Sequence, residues 1–349
     1  MPGEKIAFVG TGAQGAGIAA DLVRAGEDVT FIEQWPAHVE AMRARGIEVR
    51  MPAETTITPV TANHLCDVAT LRDSFDIVFL LVKAYDTRWA TELIKPLVAD
   101  DGLVVGLQNG MSIDDIASIV GERRTVGAVI EMASNMWEPG IVNRQTPPAE
   151  AWFAVGSPDP AGRESAVRVQ QVLRHAGTVE VSDDIRSSKW MKLIANAGEL
   201  VPSAILNLPL NDAVALPGVH DFMVECGKEA ARAAVADGSR LVPIFGMTED
   251  DVTHPDQFAA DLLGVVLERF SLPDTQTTVL QDWLKGRRSE VAEVNGLVVD
   301  VLTRVGQAAP ANAHTVDLAR RIEAGELAAD PSNLDLLLNG IHVDASTVG

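Results

Sequence analysis

Over the first 180 or so residues, short runs rich in β-branched and aromatic side chains alternate with amphipathic stretches, a pattern that predicts parallel strands joined by crossover helices. The strand candidates are KIAFVG (5–10), DVTFIE (28–33), FDIVFLLVK (75–83), GLVVGLQNG (102–110) and TVGAVIEMAS (125–134). From about residue 185 the character changes. Ala, Leu, Val and charged residues recur at helical spacing, with breaks at Pro209, Pro217, Pro243, Pro273 and Pro310, which predicts an all-helical second half. The expected division is an α/β dinucleotide-binding domain over 1–182 and a helical substrate and dimerisation domain over 183–349. The last residues, IHVDASTVG, read as a loose tail.

Composition narrows the function. The chain has 349 residues, 47% of them hydrophobic, enough for a large core split over two domains. Its formal net charge of −21, from 28 basic and 49 acidic residues, argues against nucleic acid or an anionic membrane as a partner. A small molecule is the expected ligand. Two cysteines, Cys66 and Cys226, are too few for a disulfide framework and suit a reducing compartment. The seven histidines (His38, His64, His175, His220, His254, His314, His342) show no metal-ligand spacing, so no metal is expected. No charged-then-apolar leader opens the sequence, and runs such as IVFLLV (77–82) fall far short of the ~20 residues of a membrane span. The expectation is a soluble cytoplasmic protein.

The motif FVGTGAQGAG carries the first chemistry. Gly10, Gly12 and Gly15 fit G-x-G-x-x-G between a strand and a helix, where the turn (Gly10, Gly12, Ala13, Gln14, Gly15) would hold a pyrophosphate. The second strand ends at Glu33, eighteen residues after Gly15, where a carboxylate can accept hydrogen bonds from the adenosine ribose. Gln34 follows, and no Arg or Lys appears until Arg43, so a 2′-phosphate would meet a carboxylate with little cationic compensation. NAD is expected over NADP. Lys83 in LLVKAYDT and Asn109 in GLQNGMS end two further predicted strands, where parallel sheets bind ligands.

The stretch SSKWMKLIANAGEL (187–200) places two lysines on one helix. Residues four apart share a face, so Lys192 and Asn196 project together, whereas Lys189 only partly overlaps that face and is expected to matter little. A protonated lysine can stabilise the charge that grows on a ketone oxygen during hydride transfer and deliver the proton.

The patches GTGAQG, VKAYDT, LQNGMS, KWMKLIAN and RRSEVAEVNG occur in an order and spacing that resemble the ketopantoate reductase (2-dehydropantoate 2-reductase) family, over about residues 4 to 325. The resemblance implies an α/β Rossmann domain followed by an all-α, 6-phosphogluconate-dehydrogenase-like domain, with the active site in the cleft between them. The implied reaction is reversible hydride transfer between a nicotinamide and a 2-oxo acid. It implies Lys192 as the catalytic general acid and base, with Glu290 as the carboxylate that holds it, Glu293 being the rival. It implies Asn109 at the junction of cofactor and substrate, Lys83 as the cofactor-side strand-end lysine, Asn196 on the active-site helix, and Thr278 as the hydroxyl that binds the substrate carboxylate, with Thr277 or Thr275 as alternatives. A homodimer through the helical half is expected.

Two positions depart from the family pattern. Leu200, with Glu199 beside it, stands where a second asparagine is usual, and Gln34 stands where an arginine is common. The expected substrate is therefore a 2-oxo or 2-hydroxy acid other than ketopantoate. The alternatives are an opine-type or 3-hydroxy acid dehydrogenase, separable by whether an amine is required, and a non-catalytic NAD-binding sensor.

Overall fold

The computed structural model describes residues 3–252 and 255–339. His254, His342 and the tail IHVDASTVG lie outside the described residues. The chain divides into two compact units after Lys189.

The first unit is built on an eight-stranded sheet. In chain order its strands are β1 (Lys5–Val9), β2 (Asp28–Glu33), β5 (Thr61–His64), β6 (Phe75–Leu80), β7 (Val98–Gly106), β8 (Thr125–Glu131), β11 (Trp152–Gly156) and β12 (Thr178–Val181). They lie in the order β12-β11-β8-β7-β6-β1-β2-β5. All neighbours pair in parallel except β11 with β8, which run antiparallel. A second, four-stranded sheet takes β3 (Ile47–Arg50), β4 (Thr55–Thr58), β9 (Ser134–Glu138) and β10 (Ile141–Arg144). The five strands expected from the pattern are β1, β2, β6, β7 and β8. The other seven are short, and several, such as TTIT and TANH, are too polar to stand out.

Both faces of the large sheet are covered, which is why its central strands are nearly continuous apolar runs. Ile6 and Phe8 point to one core while Ala7 and Val9 point to the other, all fully buried. Phe8 stacks on Phe79 of the neighbouring strand with centroids 4.6 Å apart. The covering helices are α1 (Ala13–Arg24), α2 (Pro36–Arg45), α3 (Thr87–Ile94), α4 (Ile113–Val120) and α5 (Arg163–Leu173). A buried Asp21–Arg144 ion pair ties α1 to the second sheet, and Arg144 also donates to the carbonyls of Thr146 and Ala176, both at 2.8 Å.

The division falls inside α6 (Ile185–Ile205), seven residues beyond the change in pattern at 182. The physical reason is packing. Ile185 sits so close to Gly127 and Gly156 that a Cβ on either glycine would lie within 2.8 Å of it, and Lys189 bonds to the sheet, so the first turn of α6 belongs to the first unit.

The second unit contains the rest of α6, then α7 (Leu210–Val214), α8 (Val219–Ala236), α9 (Pro255–Arg269), α10 (Thr278–Leu284), a π turn (Ala292–Gly296), α11 (Leu297–Arg304), α12 (Pro310–Glu323) and α13 (Leu334–Leu338). No strand occurs among its described residues. Pro209 and Pro310 stand directly before or at helix starts, where a missing N–H costs least. The first turn of α12 is capped by the buried Glu229 carboxylate, which accepts from Ala311 N at 3.0 Å and Asn312 N at 2.9 Å; burial pushes this carboxyl above its ordinary range. Among the described residues, no helix is long and apolar enough to cross a membrane.

Candidate active site

The glycine turn is shaped by what each glycine must avoid. Gly10 has φ +90°, and a Cβ there would lie 2.6 Å from Val82 N. A Cβ on Gly15 would lie 2.3 Å from the Gly10 carbonyl oxygen. Gly12 is the opposite case: a Cβ there meets nothing within 4 Å. Gly12 is also the N-cap of α1, which has no side-chain cap and no acid in its first turn. A helix N-terminus that opens onto free space, with no acid in its own first turn, suits a pyrophosphate. The Gln14 side chain turns away to the Met132 carbonyl at 3.1 Å, so Gln14 and Ala13 contribute their position in the first turn.

Glu33, only 6% exposed, closes over this turn. Its Oε2 accepts from Thr11 N at 2.7 Å and Thr11 Oγ1 at 3.2 Å, and its Oε1 from the amides of Gln34 and Trp35, both at 2.9 Å. His38 completes the support. Its Nδ1 accepts from Gly140 N at 2.8 Å, so the proton stays on Nε2 and is donated to the Thr11 carbonyl at 2.9 Å. Burial holds this imidazole below its ordinary value. Beside the turn lies a cavity of about 470 Å³ lined by Glu33, Gln34, Pro36, His64, Leu65, Cys66, Trp89 and Leu93. Its lining holds aromatic and apolar walls, one carboxylate and no Lys or Arg, which fits an adenosine. These residues therefore fit a dinucleotide, on the open Gly12 position and the adjoining cavity.

The strand ends that carry Lys83 and Asn109 are joined through Gln108, which the sequence did not single out. Its Nε2 donates to Val82 O and Thr87 Oγ1, both at 2.9 Å, and its Oε1 accepts from Ser112 Oγ at 3.2 Å. Its carbonyl accepts from Lys189 Nζ at 2.9 Å, and the same ammonium reaches Ala128 O at 3.2 Å. Lys189, set aside by the helix-face argument, is 3% exposed and acts as a buried tie within the first unit. Lys83 and Asn109, both half-buried, flank this node.

In the second unit, Lys192 Nζ lies 3.8 Å from Glu199 Oε1 and 5.3 Å from the centroid of the Phe245 ring. Lys192 and Glu199 are seven residues apart on α6, close to two turns, so they share a face. Asn196 is buried between them in sequence, and Leu200 is 8% exposed. Phe245 has φ +57° and is followed by Gly246 at φ +77°, with Met247 N bonded to Ile244 O at 2.9 Å. That is a type I′ turn with phenylalanine where asparagine or glycine is usual, a conformation costing about 1–3 kcal/mol for a bulky residue. The dipeptide Phe-Gly gives no such signal in sequence.

Three threonines are candidates for the hydroxyl expected to bind the substrate carboxylate, and their hydrogen bonds differ. Thr277 Oγ1 donates to Leu200 O at 2.9 Å, and Thr275 Oγ1 accepts from Leu272 N at 2.9 Å. Thr278 Oγ1 is buried with no hydrogen-bond partner. The two glutamates also differ: Glu293 is half-buried and accepts from Arg288 at 3.1 Å, with burial pushing its carboxyl up, whereas Glu290 is 5% exposed.

An α/β unit with an open glycine turn, followed by a helical unit with a half-buried lysine beside a buried carboxylate, is the plan of a nicotinamide-dependent oxidoreductase. Models of the ketopantoate reductase PanE/ApbA family match residues 6–158, and those of its C-terminal domain match residues 184–323. The chain belongs to the ketopantoate reductase family and is a ketopantoate-reductase-type oxidoreductase acting on 2-oxo and 2-hydroxy acids. A 2-dehydropantoate 2-reductase of Archaeoglobus fulgidus is 27% identical over 92% of this chain and 99% of its own length. A PanE/ApbA family ketopantoate reductase from Ralstonia eutropha JMP134 superposes with a TM-score of 0.77 at 28% identity, covering 92% of this chain and 99% of that one. A D-mandelate dehydrogenase solved with NADH and anilino(oxo)acetate shares the fold, with a TM-score of 0.82 at 19% identity and the same coverage.

Proposed function

We propose that this enzyme prefers NAD(H) and interconverts a 2-oxo acid bearing an apolar or aromatic substituent with the corresponding 2-hydroxy acid, with Lys192 as general acid and base. The observation that carries the reading is the half-buried Lys192 ammonium 3.8 Å from the buried Glu199 carboxylate, on the helix face that also bears Asn196. The nicotinamide, when bound, supplies or takes the hydride. Lys192 faces the charge that grows on the ketone oxygen and passes the Nζ proton to it; in the oxidative direction the neutral amine takes the hydroxyl proton. Thr278, with its unsatisfied buried hydroxyl, binds the substrate carboxylate, and the buried Glu290 is the carboxylate that orients the reacting group, with Glu293 as the rival. Asn109 and Lys83, fixed by the Gln108 node, serve the cofactor side.

The NAD preference rests on Glu33. Its four acceptor positions already serve backbone and Thr11 donors, so a ribose hydroxyl would replace the longest of them, from Thr11 Oγ1, while a phosphate would meet the carboxylate's charge. The apolar-substituent reading rests on Leu200. The D-mandelate dehydrogenase that shares the fold handles an aromatic substrate of this class. A cytoplasmic homodimer is the expected setting, from two free cysteines and an apolar helical half. The test is an absorbance assay at 340 nm over a panel of 2-oxo acids with NADH and NADPH. Turnover of a branched or aromatic 2-oxo acid above ketopantoate, with NADH, supports the reading; turnover only with an added amine, or none, sinks it.

A further inference from the structure

We infer that Glu199 and Phe245 form a cradle, built within the helical unit itself, that fixes the Lys192 ammonium, and that both are positioning residues for the reaction. This rests on the reading that Lys192 is the acid. Two observations independent of that reading point to the cradle. The first is the geometry: a carboxylate oxygen at 3.8 Å and an aromatic face at 5.3 Å meet one nitrogen, from a helix and from a loop. An ammonium within about 6 Å of a ring centroid is attracted by the electron-rich face. The second is that the loop keeps Phe245 in a backbone conformation natural to glycine, when glycine itself stands next in the chain.

Such a conformation persists only where the surroundings over-determine it. Here the ring tilts against Phe270, with centroids 5.3 Å apart, and the Phe245 carbonyl accepts from Arg269 at 3.1 Å. Both contacts come from the end of α9 and the residue after it, so the helical unit holds the loop as well as the ring. Phe245 is 2% exposed and Glu199 4%, so neither is a surface accident. A long, flexible side chain such as lysine loses most when it must be ordered at each turnover, and a preformed cradle removes that cost. A carboxylate alone supplies attraction without direction. The ring adds a second fixed point and excludes water without offering a competing hydrogen bond.

The cradle is tested by replacing Phe245 with phenylalanines carrying one, two and three ring fluorines, which withdraw electron density from the face while nearly conserving volume. We expect kcat for 2-oxo acid reduction to fall stepwise, by about 2- to 30-fold in all, with the melting temperature and NADH affinity little changed. Glu199→Gln lowers kcat about tenfold or more, and Glu199→Asp restores part of it. Independently of activity, the Lys192 ε-methylene protons, assigned through Lys192→Arg, resonate upfield of an ordinary lysine by the ring current and return in Phe245→Leu. A flat response to fluorination, full activity in Glu199→Gln, or an ordinary Lys192 resonance overturns the cradle. Full activity in Lys192→Ala instead overturns the general-acid reading, while the resonance still reports on the cradle.

Discussion

Lys189 donates from its buried ammonium to the carbonyl of Gln108 at 2.9 Å, eighty-one residues back in the chain. The bond fixes the strand end next to Asn109, and three residues further along the same helix stands Lys192. One helix thus carries a lysine that holds the sheet and another proposed to do chemistry, and variants should separate them. Lys192→Ala is expected to lower kcat by a factor of roughly 100 or more, with NADH affinity nearly unchanged. Lys189→Met is expected to cost about 1–3 kcal/mol of stability, because two buried carbonyls lose a charged donor, and to lower kcat far less. Denaturant titration and steady-state kinetics on both variants check this; a Lys189 variant as slow as the Lys192 variant would reverse the assignment.

The proposed cofactor preference concerns the cavity beside Glu33, whose lining holds no Lys or Arg. NADH is expected to exceed NADPH in kcat/KM by at least tenfold, about 1.4 kcal/mol. Gln34→Arg should narrow the gap while leaving the bonds from Glu33 to Thr11 in place, whereas Glu33→Ala should weaken both cofactors by loosening the turn. Equal use of the two cofactors by the wild type would refute the role given to Glu33.

Leu200 sets the third expectation. A pocket that meets a substrate hydroxyl with hydrocarbon leaves it unsatisfied, at about 1–3 kcal/mol. Ketopantoate should therefore be a poor substrate beside branched or aromatic 2-oxo acids, and Leu200→Asn should raise its relative kcat/KM by about 5- to 150-fold. The Thr277 bond to Leu200 is to the backbone carbonyl and survives the change. Preference of the wild type for ketopantoate would show that the side chain does not select the substrate.

His38 gives a pH dependence whose sign is fixed. Its folded value lies below the ordinary 6.5 because burial disfavours the charged ring. Above about pH 6.5 both folded and unfolded states hold it neutral and it contributes nothing to the pH dependence. As pH falls below that, the unfolded chain takes up a proton that the folded chain refuses, so stability drops by up to about 1.4 kcal/mol per pH unit until the folded value is reached. His38→Gln, which can still donate to Thr11 O, should flatten this part of the profile. Urea midpoints at pH 7.5 and 5.5 for both proteins provide the measurement, and parallel profiles would exclude His38 as the source.

What the sequence determined by itself was whatever depends on local pattern. Apolar runs of period two or with few polar breaks marked the five central strands, because those strands are buried on both faces and leave little room for polar residues. Glycine spacing marked the turn, in which Gly15 is crowded by the Gly10 carbonyl within the motif itself and Gly10 by the distant backbone of Leu81 and Val82. The helical half was legible from its periodicity, and the shared helix face of Lys192 and Asn196 from their four-residue spacing. The short strands of the second sheet were not legible, since their pairing with distant segments, and not their composition, makes them strands. Tertiary structure alone decided which lysine is the buried tie, because burial of Lys189 depends on carbonyls 61 and 81 residues away. It alone shows that the Thr277 and Thr275 hydroxyls are hydrogen-bonded while that of Thr278 is buried without a partner, since hydrogen-bond partners are a matter of folded geometry. It also brought Phe245 against Lys192: a residue's φ angle and the ring beneath an ammonium are set by the packing of α9 against the loop, and no spacing within the chain encodes them.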